Sequence, residues 1–277
     1  MKKKYIIGII AALVIVVDIS VALYPTVANY FNSFSQSRAV VQYADDVALL
    51  GEDGSAAMLA AAREYNQALL QKAERFQFTE AENAEYRELL RTERGIMGML
   101  VIDKINTKLP IYHGTDEGVL QVGLGHMQGT SLPVGGTGTH AFITGHRGLP
   151  SSVLLTDLDK LAEGDTFVLY TAGETLSYQV DQIQTVEPHE VESLNIDPEA
   201  DYCTLVTCTP YGINTHRLLV RGHRVENAAE NEWNAIFAGA RMLDKLLVVL
   251  AVLALISPIL LIVIVIRCRK IRKGNGR

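Results

Sequence analysis

Apolar positions are distributed very unevenly along this chain. Residues 5–23 and 246–266 are almost wholly apolar, and the second run has 21 residues without a charge. About 20 apolar residues cross a bilayer as a helix, so each run predicts a membrane span. The residues between them change texture at Ile96. Before it the pattern is helical: over residues 56–76, Met58, Leu59, Ala62, Leu69 and Leu70 fall near a helical period. Thr79 with Glu82 three residues on has the form of a capping box, predicting a second helix that ends at Gly95 after Arg91 and Arg94. From Ile96 onward short strand-like runs alternate with Gly and Pro. Strands are predicted near 97–102, 108–113, 139–144, 166–171, 175–185, 202–208 and 216–225, with turns at Pro110, 133–136, Gly148, Gly164, Gly173 and Pro210. Many short strands with a turn every dozen residues predict a mainly β domain, barrel or sandwich. No internal repeat or low-complexity tract interrupts this plan.

Charge orients the spans. Lys2, Lys3 and Lys4 precede the first, and Arg267, Arg269, Lys270, Arg272, Lys273 and Arg277 follow the second. Basic residues beside a span stay in the cytoplasm, which puts both ends inside and the middle outside. The first run reads alternatively as a cleaved signal peptide, since Thr26-Val27-Ala28 offers small residues for cleavage. Asp18 within it reads as lying near the outer interface. The mean hydropathy of +0.15 arises because the two ends offset a polar middle. Residues 24–240 hold 14 basic against 29 acidic side chains, a net charge of −15 that repels nucleic acid. A soluble cytoplasmic enzyme is excluded by this pattern.

Of the three cysteines, Cys268 falls in the predicted cytoplasmic tail and Cys203 and Cys208 lie outside. An offset of five along one strand puts those two on opposite faces, about 17 Å apart, too far for a disulfide. Cys208 ends its strand just before a Pro/Gly loop, where scaffolded reactive groups usually sit. The loop at 209–215 returns the chain into a second strand, and antiparallel pairing then brings Arg217 near Cys208. A guanidinium beside a thiol stabilises the nucleophilic thiolate. On spacing alone, a buried cysteine acting as a small hydrophobe is an equal reading. Amide cleavage also needs an acid for the leaving amine. His146, between Gly145 and Arg147-Gly148 after the run 141–144, suits that role at a barrel rim. His113, His126, His140, His189, His216 and His223 read as structural or solvent-facing. Nothing in the spacing brings His146 to Cys208.

Thr204-Leu205-Val206-Thr207-Cys208 followed by Arg217 resembles the signature of sortases, transpeptidases of Gram-positive surfaces. The segments 98–114 (GMLVIDKINTKLPIYHG), 125–136 (GHMQGTSLPVGG), 143–150 (ITGHRGLP) and 155–165 (LTDLDKLAEGD) resemble class C, the pilin-polymerising sortases, over roughly residues 65–225. The resemblance implies an eight-stranded sortase β-barrel with N-terminal helices and terminal transmembrane helices, and Cys208, His146 and Arg217 as the catalytic residues. The implied organisation is a signal or membrane segment at 1–29, a helical region at 30–95, the barrel at 96–226, a tether at 227–245, a membrane helix at 246–266 and a basic tail at 267–277. The class commonly carries an Asp-Pro-aromatic lid over its cysteine. That motif is missing here, and Phe76 and Phe78 are the candidates for a substitute plug, with packing of a helix turn on the barrel as the alternative.

The mechanism implied begins with attack of the Cys208 thiolate on the threonine carbonyl of an LPxTG-like sorting signal. Arg217 donates hydrogen bonds to the oxyanion or holds the substrate, and His146 protonates the glycine amine. A pilin lysine then resolves the thioester into an isopeptide bond. The partners implied are pilin subunits or other surface proteins with a C-terminal sorting signal, an acceptor lysine amine and the membrane; no nucleic acid, cofactor or metal is implied. Two alternatives are a sortase that anchors single proteins to a cell-wall precursor, and an inactive membrane-tethered binding module with the same barrel.

Overall fold

The computed structural model describes residues 2–149, 152–190 and 192–227. The predicted span at 246–266, the tail with Cys268, and the tether beyond residue 227 lie outside the described residues.

The N-terminal region is more helical than its pattern predicts. Helix α1 runs over Lys2–Gln71, kinked where Gly51 takes φ 67°, a left-handed conformation that glycine adopts without a Cβ penalty. Helix 56–76 is thus the later part of a longer element and stops five residues early. Before the kink, Val40, Tyr43 and Val47 recur at helical spacing and pack on Ile96, Met99, Val101 and Tyr170. After it, Leu59 and Ala62 join the main core. Asn66 donates to the Leu132 carbonyl at 3.0 Å and accepts from its N–H at 2.7 Å, satisfying a buried loop. The first predicted span lies within α1, where side chains from Leu13 onward are described and are exposed. Among the described residues no helix is long and apolar enough to cross a membrane.

Helix α2 covers Glu80–Glu88 with the capping box of Thr79 and Glu82 in place. It ends well short of Gly95: the C-cap Leu89 is already extended at ψ 131°, and Leu90 follows at φ 57° with its side chain buried in the core. Eight strands follow: β1 Ile96–Ile102, β2 Thr107–His113, β3 Leu124–His126, β4 Thr139–Thr144, β5 Thr166–Thr171, β6 Glu174–Val186, β7 Asp201–Thr209 and β8 His216–Val225; a short helix, α3 Glu117–Leu120, precedes β3. They close into a barrel in the order β1-β2-β3-β4-β7-β8-β6-β5, with β2–β3 and β4–β7 parallel and the other pairs antiparallel. Seven strands match the sequence reading within one residue at either end; β3 was not read.

The two-residue alternation of strands sorts side chains between the interior and an outer face. Ala141, Ile143, Cys203, Leu205, Leu218 and Val220 belong to the interior core. Phe142, Val206 and Leu219 form a separate apolar cluster on the outer face, flanked by Met127, Val186 and Leu194. That outer cluster is the floor on which the candidate site is built.

Candidate active site

Cys203 and Cys208 are both free thiols with opposite surroundings. Cys203 is fully buried in the barrel, where burial pushes its thiol well above the ordinary range. Cys208, five residues on and therefore on the outer face, is half-buried at the end of β7. Its directly opposed residue on β8 is Arg217, and opposed residues of an antiparallel pair have Cβ atoms about 5 Å apart. The guanidinium is steered by the loop that follows Cys208: its Nη1 donates to the carbonyls of Asn214, at 3.4 Å, and His216, at 3.2 Å. Among the described residues its hydrogen bonds all use Nη1, so Nη2 and Nε keep their donor capacity, and Arg217 lines the groove.

His146 reaches the same groove through the parallel pairing of β4 with β7, in which Thr144 opposes Val206. Gly145 then binds β7 twice, its N–H donating to Val206 at 3.0 Å and its carbonyl accepting from Thr207 Oγ1 at 2.8 Å. A Cβ on Gly145 would meet the buried Leu124 side chain at 2.5 Å, so any larger residue there would force that core leucine to shift. The His146 carbonyl accepts from Leu155 N–H at 3.2 Å, and Arg147 spans from Thr209 Oγ1 at 3.4 Å to an ion pair with Asp159. The peptide carrying His146 is therefore fixed on both sides of the imidazole. Its Nε2 lies 3.3 Å from the Glu117 carboxylate. The Gln121 amide, and after it His146, hold that carboxyl below its usual range. The sequence assigns no role to Glu117, which stands in no motif or periodic run, and marks Arg147 only as a neighbour of His146; their partners at the rim come from other segments.

His146, Cys208 and Arg217 together line one groove of about 330 Å³, floored by Phe142, Val206 and Leu219 and walled by Glu187, Pro188, Ser193 and Leu194. A larger hollow of about 900 Å³ holds none of the three. It lies beside the groove, and its lining includes no cysteine, so a thiol nucleophile is available only in the smaller groove. The other histidines divide as their surroundings dictate. His126 is buried, donating from Nε2 to the Ser131 carbonyl at 2.8 Å while Nδ1 accepts from Tyr86 at 2.9 Å. Burial pulls the pKa of His126, and likewise of His140, down to about 4, leaving both neutral at pH 7.

Phe76 and Phe78 stand outside the groove. Phe76 lies over Gly129, so close that a Cβ there would meet its ring at 2.6 Å, and Phe78 packs beneath Lys72 Nζ at 5.1 Å. Neither lines the hollow that contains Cys208. The placement is that of packing on the barrel, so the substitute plug is not in position over the thiol. A Phe76→Ala, Phe78→Ala double variant is accordingly expected to react with a bulky thiol reagent at Cys208 at the parental rate. A tenfold acceleration, about 1.4 kcal/mol of lost closure, would contradict that placement.

A family profile described as a sortase domain matches residues 100–225. Among curated proteins the chain is similar to sortase D of Bacillus subtilis, 28% identical over 131 residues, which are 46% of this chain and 63% of that protein. The match thus spans just under two thirds of that relative's length. Solved structures are more alike. Sortase C1 from Streptococcus agalactiae is 50% identical with a TM-score of 0.67, covering 69% of this chain and 99% of that one. Sortase C-1 from Actinomyces oris is 43% identical with a TM-score of 0.58, covering 62% and 99%.

Proposed function

The chain belongs to the sortase family of cysteine transpeptidases, in its class C branch, and from that premise we propose that it cleaves an LPxTG-like sorting signal and joins the acyl fragment to a pilin lysine. The observation that carries the reading is the convergence of Cys208, Arg217 and His146 on one groove with an apolar floor. The Cys208 thiolate attacks the threonine carbonyl carbon, and the oxygen that takes up the negative charge is met by the Arg217 guanidinium. As the carbon–nitrogen bond breaks, its electron pair stays on the glycine nitrogen, which takes a proton from the His146 imidazolium. A thioester and a neutral imidazole remain. The lysine amine of the next subunit then attacks, passes its proton to His146, and expels the thiolate, which restores the starting state. Phe142, Val206 and Leu219 offer the leucine and proline of the signal an apolar surface. Incubating the full-length protein with purified pilin subunits should give a ladder of high-mass polymers that resists boiling in detergent. Release of cleaved subunits without a ladder would count against the lysine as acceptor.

The same reading places the barrel outside the cell membrane with both ends of the chain in the cytoplasm. Its support is the flanking basic residues and the exposure of Leu13, Val14, Ile15, Val16 and Val17 around all sides of α1, since a helix apolar all round is stable when surrounded by lipid. Protease added to intact protoplasts is expected to remove the barrel and spare the membrane-bound ends. A thiol reagent that cannot cross membranes should label Cys208 but not Cys268; external labelling of Cys268 would overturn the orientation.

A further inference from the structure

The groove's outer wall comes from residues 187–190 and 192–197 of the connection between β6 and β7, and among them few hydrogen bonds reach the rest of the fold; nearer β7 the Ala200 carbonyl accepts from the N–H groups of Gly138 and Thr139. The hydrogen bonds at residues 187–190 are local, with Glu190 N–H donating to the Glu187 carbonyl at 3.1 Å and Glu187 N–H to the Glu190 carboxylate at 3.3 Å. Among the described residues of this wall, only two groups bond to other parts of the fold, and they are consecutive carbonyls. The Leu194 carbonyl accepts from Arg75 Nη2 at 3.2 Å, and the Asn195 carbonyl accepts from His140 Nδ1 at 2.8 Å. The side chain between these anchors matters for the site, because Leu194 packs against Phe142, Val206 and Leu219 and lines the Cys208 groove.

Both anchors are themselves fixed. His140 rises from β4, buried, with its ring 4.4 Å from that of Phe142 and its Nε2 accepting from Thr204 Oγ1 at 2.7 Å. As a neutral ring with the proton on Nδ1 it satisfies both partners at once. Arg75 comes from the connection 72–79 between α1 and α2, outside the barrel. Its Nη1 donates to the Gly129 carbonyl at 3.4 Å, and its guanidinium lies 5.4 Å from the centre of the Phe76 ring. One planar fork therefore ties the β3–β4 connection to the groove wall, with a separate nitrogen for each carbonyl in a fixed geometry that a flexible ammonium does not reproduce. Phe76, absent from the groove, has a place in this arrangement as the surface against which Arg75 lies.

We propose that Arg75 is a positioning residue for the acyl donor: with His140 it holds Leu194 and Asn195 so that the loop forms a fixed wall for the sorting signal. This rests on the transpeptidase reading of the groove. Without Arg75 the wall would spend part of its time away from the floor, and apparent substrate affinity falls by the fraction of competent wall. The chemical step is made by groups that Arg75 does not touch, so kcat should stay close to the parent's.

The test uses the full-length protein with Arg75→Ala, Arg75→Lys and, as a control in the same connection, Lys72→Ala, whose partners are Glu82 and the Gln77 carbonyl rather than the loop. Amide hydrogen exchange over residues 192–197 and steady-state kinetics with a sorting-signal peptide are measured side by side. Arg75→Ala is expected to speed that exchange and raise KM by about tenfold each, with kcat within a factor of about three and unaltered labelling of Cys208 by a small thiol reagent. Arg75→Lys should fall midway, and Lys72→Ala should behave as the parent in all readouts. Unchanged exchange in Arg75→Ala, a loss in kcat with KM unaltered, parental behaviour of Arg75→Lys, or an equal effect of Lys72→Ala would each overturn the proposal. Failure of the parent itself to form an acyl-enzyme would end the transpeptidase reading, while the exchange comparison would still decide whether Arg75 holds the wall.

Discussion

Cys208→Ala is expected to remove acyl transfer altogether, by at least about a thousandfold, since no other group in the groove can form the covalent intermediate. The fold should be spared, because Cys208 sits half-buried at the end of β7 with its side chain on the outer face. Cys203→Ala makes the contrast. That thiol is sealed inside the barrel among Ala141, Leu205 and Val220, and burial holds it in the neutral form. Its loss leaves a small void costing about 1 kcal/mol of stability, seen as a lower Tm, while transfer continues near the parental rate. Intact mass after incubation with a sorting-signal peptide separates the two: the thioester adduct should appear on the parent and on Cys203→Ala and be missing from Cys208→Ala. An adduct on Cys208→Ala, or equal losses in both variants, would remove Cys208 as the nucleophile.

What was legible in the sequence followed the range of the signal. Strands such as Thr139–Thr144 and Thr166–Thr171 announce themselves by β-branched and aromatic runs between turn residues, and their limits were read correctly. β3 is three residues long, Leu124-Gly125-His126, and a glycine at its centre gives no alternation to detect. The helix before Gly51 carried its signal in Val40, Tyr43 and Val47, but polar residues dilute it, and what stabilises it is packing against β1 and β5. The pairing of Cys208 with Arg217 was readable because one short loop joins two consecutive strands. The approach of His146 was not, since it depends on a parallel pairing of β4 with β7 across about sixty residues and two intervening strands; only the family resemblance suggested it. Arg75 lies beyond both routes, having no motif and no neighbour in sequence that points to Leu194.

The same register argument makes Arg217→Lys the sharper of the two remaining substitutions at the site. A general acid can be removed by His146→Ala, and both halves of the reaction should then fail, because one imidazole protonates the leaving amine and deprotonates the incoming one. Replacing Arg217 by lysine keeps the charge and asks only about geometry. In the parent, Nη1 is held by the Asn214 and His216 carbonyls, which leaves the rest of the planar fork free to meet the substrate's carbonyl oxygen. A lysine ammonium reaches either the loop carbonyls or the oxyanion, and it swings on four single bonds. Loss of an oriented oxyanion donor costs about 100-fold to 1000-fold in kcat, or roughly 3–4 kcal/mol, with a smaller effect on KM because the charge appears only as the carbonyl is attacked. Single-turnover acylation, followed by the mass of the thioester, should show the whole loss in the first chemical step. If Arg217→Lys instead acylates at the parental rate and only KM rises, the guanidinium serves to hold the ground-state peptide, and oxyanion stabilisation must come from backbone N–H groups at the rim.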